Sequence, residues 1–346
     1  MEKLRIALCG CQGKVEKFGT LLNGYQESCV AAVWDNVTGR GEAVAQRLGC
    51  PFEGDYDRLL REYAQDGVVI VAQNSLHAGL IEWAARSGKH VFVEKPLCLD
   101  PAQARSIRRV IHETGVKFYM SDPFVHASTV YVKRLIEGGA LGRITGARFR
   151  LGSDTALHPW EDHPIYDKSR ALGGIMADVG GHMVHAAHYL FGRPARLTAV
   201  LSGISDAAKC NDIEENAGVL MQYPDDKLVT LECSWVCAGD TDAAEVYGTR
   251  GWARITRAPG GGPSEDAVTV QLDGQPPAAV PAQQLPPAPT RHVRYWVEMM
   301  TRDLPNDIVS VDDLSNSGVS IDNAAEYVDI LDAIYRSARE GYTVAL

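Results

Sequence analysis

No apolar run in this 346-residue sequence approaches the roughly 20 residues that a membrane-spanning helix needs. Met1 and Glu2 lead into KLRIALCG, too short an apolar stretch for an export signal, which points to a cytoplasmic protein with no membrane partner. Basic residues are in deficit. Lys and Arg total 34 against 44 Asp and Glu, and the formal net charge of -10 offers no positive field for nucleic acid. Zinc-knuckle spacing is missing too. The eight cysteines are scattered, and the close pairs Cys9/Cys11 and Cys233/Cys237 lie in strand-like text, where they read as buried thiols in a reducing setting. No internal repeat is present.

The remaining text describes an α/β protein. Its length suggests about two domains. LRIALCG, CVAAVWD, DGVVIVAQN, HVFVEKP and VKFYMSD are short, continuously apolar strands separated by helical segments. Gly49 and Gly88 stand as helix stops, and Asp100-Pro101 as an N-cap followed by a first-turn proline. Strand–helix alternation with strands apolar on both faces predicts a doubly wound parallel sheet over residues 1–122. Residues 123–346 read as a second domain. They open with a helix around STVYVKRLIEGGALG, and alternating strands over 143–275 predict a large, mostly antiparallel sheet with one face on a core. YPDDKL is its hairpin turn. APGGGPSED and GQPPAAVPAQQLPPAPT read as loops, and helices near 291–303 and 320–340 close the chain.

Ligands bind such parallel sheets outside the carboxyl ends of the strands. The first strand ends in GCQGKVEKFG, where Gly10 and Gly13 let backbone amides approach a pyrophosphate at a helix start, and Gln12 stands in place of the second fingerprint glycine. Asp35, at the end of the second strand, suits the adenosine ribose hydroxyls and favours NAD; Arg40 nearby keeps NADP open. FVEKP places Lys95 at the end of the fourth strand, where an ammonium could hold a substrate oxygen and stabilise a developing alkoxide. Pro96 ends the strand pairing. In GGIMADVGGHMVHAAHYLFG, Asp178, His182 and His185 fall four and seven apart, on one helical face, and a carboxylate beside an imidazole makes a base for a hydroxyl proton. The bland readings are a surface Lys95–Glu94 pair and a helix cap at Asp178. A metal held by Asp178, His182, His185 and His188, with His158 or His163, is disfavoured, because ligands two turns apart diverge, and no metal is expected.

These segments together resemble the Gfo/Idh/MocA oxidoreductases. GKHVFVEKPLCLDPAQA is similar to the family's fourth-strand signature, and GGIMADVGGH to its second-domain motif. IEENAGVLMQYPDDKLVTLECSW and AEVYGTRGWARI resemble its sheet strands, and AAEYVDILDAIYRSAREGYTV its closing helix. The resemblance implies an N-terminal Rossmann domain, a C-terminal α/β domain whose open sheet builds oligomers (a homodimer or homotetramer), a bound nicotinamide cofactor, and sugar or polyol substrates. It implies Lys95, Asp178 and His182 as catalytic residues, with Asn74 and His77 lining the cofactor and Gln73 where a proline is usual. Candidate cofactor contacts are Gly10, Gln12, Gly13, Lys14, Asp35, Asn74, His77, Glu94 and Lys95. Candidate substrate contacts are Lys95, Phe124, His126, His158, Trp160, His182 and His185; His185 replaces a usual aspartate. The expected reaction is NAD(P)-dependent hydride transfer at a secondary alcohol. A redox-neutral glycosidase acting through a transient 3-keto sugar is the alternative, and a non-catalytic dinucleotide sensor the third reading.

Overall fold

The apolar strands of the N-terminal half assemble by the rule that both their faces must be covered. In the structure, a computed structural model, residues 2–98, 100–121, 125–157, 173–239, 242–257, 266–286, 292–306 and 319–346 are described. The chain divides into two units. The first contains Met1–Asp122, Thr290–Val309 and Gly318–Val328, and the second Pro123–Pro289 and Asp329–Leu346.

In the first unit, β1 (Leu4–Cys9), β2 (Ser28–Trp34), β3 (Gly67–Ile70), β4 (His90–Glu94) and β5 (Phe118–Ser121) form one parallel sheet in the order β2-β1-β3-β4-β5. The connecting helices are α1 (Val15–Gly24), α2 (Thr38–Leu48), the short α3 (Tyr56–Arg58) with a π-helical turn over Leu59–Tyr63, α4 (Asn74–Arg86) and α5 (Pro101–Thr114). Their ends follow local chemistry. Gly49 and Gly115 close α2 and α5 at φ +67° and +65°, the left-handed region. The Asp100 side chain accepts from the Gln103 amide at 2.8 Å and opens α5 ahead of Pro101. Residues His292–Thr301 bring Trp296 and Val297 into the core beside Ile6, Leu8, Phe92 and Tyr119. The edge strand β5 does not end in solvent. The Phe118 amide donates to Asn306 Oδ1 (3.0 Å), Asn306 Nδ2 donates to the Val116 carbonyl (2.8 Å), and Met120 pairs with Val319. A late stretch of chain thereby seals an early sheet edge.

In the second unit, β6 (Ile144–Gly152), β7 (Arg196–Ser202), β8 (Asn216–Gln222), β9 (Leu228–Ser234), β10 (Ala243–Gly248), β11 (Gly251–Thr256), β12 (Ala267–Leu272), β13 (Ala278–Ala279) and β14 (Val344–Ala345) lie in the order β13-β12-β11-β10-β6-β9-β8-β7-β14. Among the described residues the pairs are antiparallel except β6 with β9. Strict alternation of burial along β8 shows one covered face. This unit's helices are α6 (Ala127–Glu137), α7 (Gly181–Phe191) and α8 (Asp206–Asn211); α9 (His292–Thr301) belongs to the first unit, and α10 (Ile321–Glu340) begins in the first unit and ends in the second. A π-helical turn, Met176–Gly180, precedes α7 where the sequence pattern predicts regular helix. Several short elements were not anticipated, among them α3 with its π-helical turn, the six-residue α8, β14, and the two-residue β13 inside a segment read as loop. No helix among the described residues is long and apolar enough to cross a membrane.

Candidate active site

The first unit brings the carboxyl ends of β1, β2, β3 and β4 together, as a parallel sheet must. Gly10 follows β1 at φ +89°, and a Cβ there would collide with the Ala72 backbone, so the β1 and β3 loops touch only because position 10 lacks one. Gly13, at φ +45°, has nothing within 4 Å of where its Cβ would sit. The Cys11 amide donates to Asp35 Oδ2 (2.7 Å) and the Gln12 amide to the Val71 carbonyl (3.3 Å). Gly13 and Lys14 come next, at the start of α1, where amides lack intrahelical partners. This is the arrangement in which a helix start holds an anion.

Asp35 is 2% exposed. Its Oδ2 accepts from Cys11 N–H and Arg40 Nε (2.9 Å), and its Oδ1 from Val37 N–H (2.7 Å) and Arg40 Nη2 (2.7 Å). Burial pushes this carboxyl up, but the Arg40 guanidinium and the Val37 and Cys11 amides outweigh it and hold it below the usual carboxylate range.

At the end of β4, Glu94 is buried. Its Oε1 lies 3.6 Å from Lys14 Nζ and makes no hydrogen bond among the described residues. A buried acceptor without a donor suits a ligand hydroxyl. Lys95 is half-buried and precedes Pro96 through a cis peptide bond. His77 lies 1% exposed in α4; its Nδ1 meets the Pro96 carbonyl at 2.8 Å and its Nε2 the Ala72 carbonyl at 3.1 Å. Burial pushes this imidazole below its usual range and outweighs the neighbouring backbone carbonyls, which push it up; while the ring is neutral its single N–H donates to one of the two carbonyls. Asn74, half-buried, opens α4. Gly10, Gln12, Gly13, Lys14, Asp35, Asn74, His77, Glu94 and Lys95 therefore all sit at or beside the carboxyl ends of the first four strands.

In the second unit, Asp178 lies in the π-helical turn and His182 and His185 in α7; the first two are half-buried and His185 is buried. His126 stands at the start of α6 and lines an apolar cavity with Phe149, Met183, Ala186, Leu190 and Ile255. The charges at this cavity compensate one another: Arg257 meets Asp242 at 3.3 Å and Asp266 at 3.0 Å, and Ser128 Oγ donates to Asp266 at 2.6 Å. Phe124, His158 and Trp160 lie outside the described residues. Among the described residues no group of three His, Cys, Asp or Glu is placed to hold a metal ion.

Residues 4–121 match the oxidoreductase family with an NAD-binding Rossmann fold, and residues 129–254 match the GFO/IDH/MocA C-terminal domain. The chain belongs to the Gfo/Idh/MocA family of oxidoreductases. Among similar family members, the D-xylose 1-dehydrogenase (NADP(+)) 2 of Haloferax volcanii is 29% identical over 322 residues, 91% of each chain. The 2,7-anhydro-N-acetylneuraminate hydratase of Mediterraneibacter gnavus is 25% identical over 285 residues, 80% of this chain and 71% of the relative. The crystal structure of aldose-aldose oxidoreductase from Caulobacter crescentus shares the fold with a TM-score of 0.80, at 23% identity, over 100% of both chains.

For this family member, the sequence pattern located the loops but not two of their features. One is that Arg40 fills the remaining acceptor sites of Asp35; the other is that Glu214, discussed below, reaches across the fold to the segment before Asp178. Arg40 carried a signal, being five residues beyond a strand-end acid.

Proposed function

We propose that this protein transfers a hydride between NAD or NADP and a secondary alcohol of a sugar, polyol or glycoside. The observation that carries the reading is the buried Glu94 Oε1, which accepts no hydrogen bond among the described residues, at the mouth of a sheet whose neighbouring loops present Gly13, Lys14 and Asp35. Those residues suit a dinucleotide: α1's first amides for the pyrophosphate, Asp35 with Arg40 for the adenosine ribose, Glu94 for a further hydroxyl. When bound, the nicotinamide would supply a hydride acceptor or donor. His77, set between the Ala72 and Pro96 carbonyls, packs beneath the turn that carries Lys95. Lys95 holds the substrate oxygen and stabilises negative charge on it. His182 takes the hydroxyl proton, with Asp178 setting its tautomer. His126 and His185, with Phe124, His158 and Trp160, are the proposed substrate contacts.

The carbohydrate substrate follows from relatives such as the D-xylose dehydrogenase. Lys95→Ala and His182→Ala are expected to bind NADH with wild-type affinity while kcat falls by about 100-fold or more. Near-wild-type turnover in both variants would remove the mechanism. The relative named a hydratase, an activity without net redox, favours a second reading, in which transient oxidation activates elimination and the hydride returns. Stoichiometric NADH formation excludes it; product formation with catalytic dinucleotide and no NADH supports it.

The working protein is a homo-oligomer built on the open sheet, and it is cytoplasmic. Among the described residues no disulfide joins the cysteines, which suits a reducing compartment.

A further inference from the structure

Two consecutive glutamates, Glu214 and Glu215, enter β8 buried, at 8% and 0% exposure. The pair serves two different neighbours. Glu215 takes the Ile204 and Ser205 amides, both at 2.8 Å, and the Ser205 hydroxyl at 2.6 Å, and thereby ties down the start of α8. Glu214 turns to the segment that leads into Asp178. Its Oε1 accepts the Gly174 amide (2.9 Å), the Met176 amide (3.0 Å) and the Tyr335 hydroxyl (2.7 Å), and its main-chain carbonyl accepts the Ile175 amide (3.0 Å).

Three successive amides at a helix start, groups that ordinarily lack protein partners, therefore converge on one residue. The Gly174 carbonyl in turn accepts the Asp178 amide at 3.1 Å. The approach is close enough that neither glycine could carry a Cβ: at Gly173 it would meet the Tyr335 hydroxyl, at Gly174 the Glu214 carbonyl. The far side of the turn is equally confined, since a Cβ at Gly180 would meet Met176 and, at 3.3 Å, Cys233 Sγ of β9. Tyr335 remains a donor, because burial and the adjacent Glu214 carboxylate push its phenol far above the ordinary range.

We infer that Glu214, anchored by Tyr335, is a positioning residue that holds the π-helical turn in the rotation that aims Asp178 and, one turn on, His182. The inference rests on the proposed roles of Asp178 and His182. Glu214 touches neither side chain of that pair by the bonds above; it acts through the Gly174–Met176 backbone. A displacement of about 1 Å in a catalytic group can cost on the order of 100-fold in rate, so a clamp of this kind shows in kcat.

The test uses the full-length protein, with Glu214→Gln, which keeps the shape and removes the charge that gathers three donors, and Tyr335→Phe, which removes one donor and leaves the carboxylate. Hydrogen exchange reads the clamp without any substrate. Exchange in peptides spanning 174–182 should quicken by about 10-fold in Glu214→Gln and about 3-fold in Tyr335→Phe, with β7 and β2 unchanged. In turnover with a sugar and NAD, kcat should fall by about 100-fold and about 10-fold respectively, while sugar KM and NADH affinity stay within about 3-fold. The alkaline and acid limits of the kcat profile should move in Glu214→Gln, which a loss of folded protein would not produce. Unchanged exchange at 174–182 overturns the clamp. So does quickened exchange with kcat within about 2-fold of wild type, or a kcat loss that only tracks the folded fraction. A wild type inactive on every sugar and polyol would sink the proposed function instead, and the exchange result would still decide whether the clamp exists.

Discussion

Arg40 grips Asp35 with both arms of its guanidinium, Nε to Oδ2 and Nη2 to Oδ1. With the Cys11 and Val37 amides already on the same two oxygens, all four acceptor directions of the carboxylate are taken. A ribose hydroxyl can reach Asp35 only as Arg40 gives way. The released guanidinium, about one-third exposed, then stands where a 2′-phosphate would be neutralised. Arg40→Gln should therefore lower kcat/KM with NADP by about 10- to 100-fold, the worth of one hydrogen bond to a charged group. Activity with NAD should hold or rise. Steady-state rates with each dinucleotide check this, and an unchanged NADP/NAD ratio would show that Arg40 takes no part in the choice.

The two fingerprint glycines should fail differently. A Cβ at Gly10 meets the Ala72 backbone, so Gly10→Ala is expected to damage folding itself. Gly13 faces open space at φ +45°, so Gly13→Ala meets only the left-handed penalty of about 1–2 kcal/mol. Its thermal midpoint should drop by only a few degrees, roughly 2–6 °C. If the α1 start carries the pyrophosphate, NADH affinity should nevertheless weaken by about 10-fold or more, since the added methyl stands where backbone must approach the ligand. Fluorescence titration beside a melting curve separates the two effects; wild-type affinity in Gly13→Ala would move the pyrophosphate elsewhere.

Much of this layout was legible because it is local. Gly49 closing α2 and Asp100 opening α5 act within four residues of themselves, and the continuous apolar runs of β1 to β4 follow from covering both sheet faces. The strand-end positions of Asp35 and Lys95 come with them. What stayed hidden depends on distant partners. Glu214 and Glu215 read as the polar start of a strand; they stand just before β8, and both are buried against donors from residues 174, 176, 204, 205 and 335. The π-helical turn at Met176–Gly180 leaves no periodicity of its own in five residues, and α8 is too short to show one.

His77 makes a pH prediction. Its folded-state pKa lies below the unfolded value of about 6.5, so the unfolded chain binds the proton first on acidification. Its contribution to stability is complete above that unfolded value and is lost as pH falls through it toward the folded pKa. His90 is lowered in the same sense, by burial and then by the Lys117 charge. Stability should therefore decline between about pH 7 and pH 5.5 with a slope of at most about 1.4 kcal/mol per pH unit for each histidine. His77→Gln, whose amide can still donate to a loop carbonyl, should flatten that slope in urea melts taken across the range. An identical slope in the variant would assign the acid sensitivity to other groups.

The last prediction concerns the open sheet. Cross-strand register puts Val200, Leu220, Leu228 and Tyr247 on one face, exposed at 72%, 45%, 48% and 39%. Around them lie ion pairs on the same side: Arg148 and Arg150 with Glu232, and Arg254 with Glu245. Apolar side chains set among charge-compensated ones form the usual surface of a protein–protein contact, and a stable one covers roughly 800 Å² per partner. Leu220 and Leu228 sit on adjacent strands, next to Thr230 and Gly146, at the middle of the sheet. Leu220→Glu with Leu228→Glu would place two carboxylates at the centre of a symmetric contact, against their own copies. Sedimentation at about 10 µM should show an assembled wild type and a monomeric double variant, the dissociation constant rising by at least about 100-fold. The secondary structure should be unaltered, because both side chains point away from the core. A wild type that sediments as a monomer at that concentration would leave this face to some other partner and end the case for self-association through it.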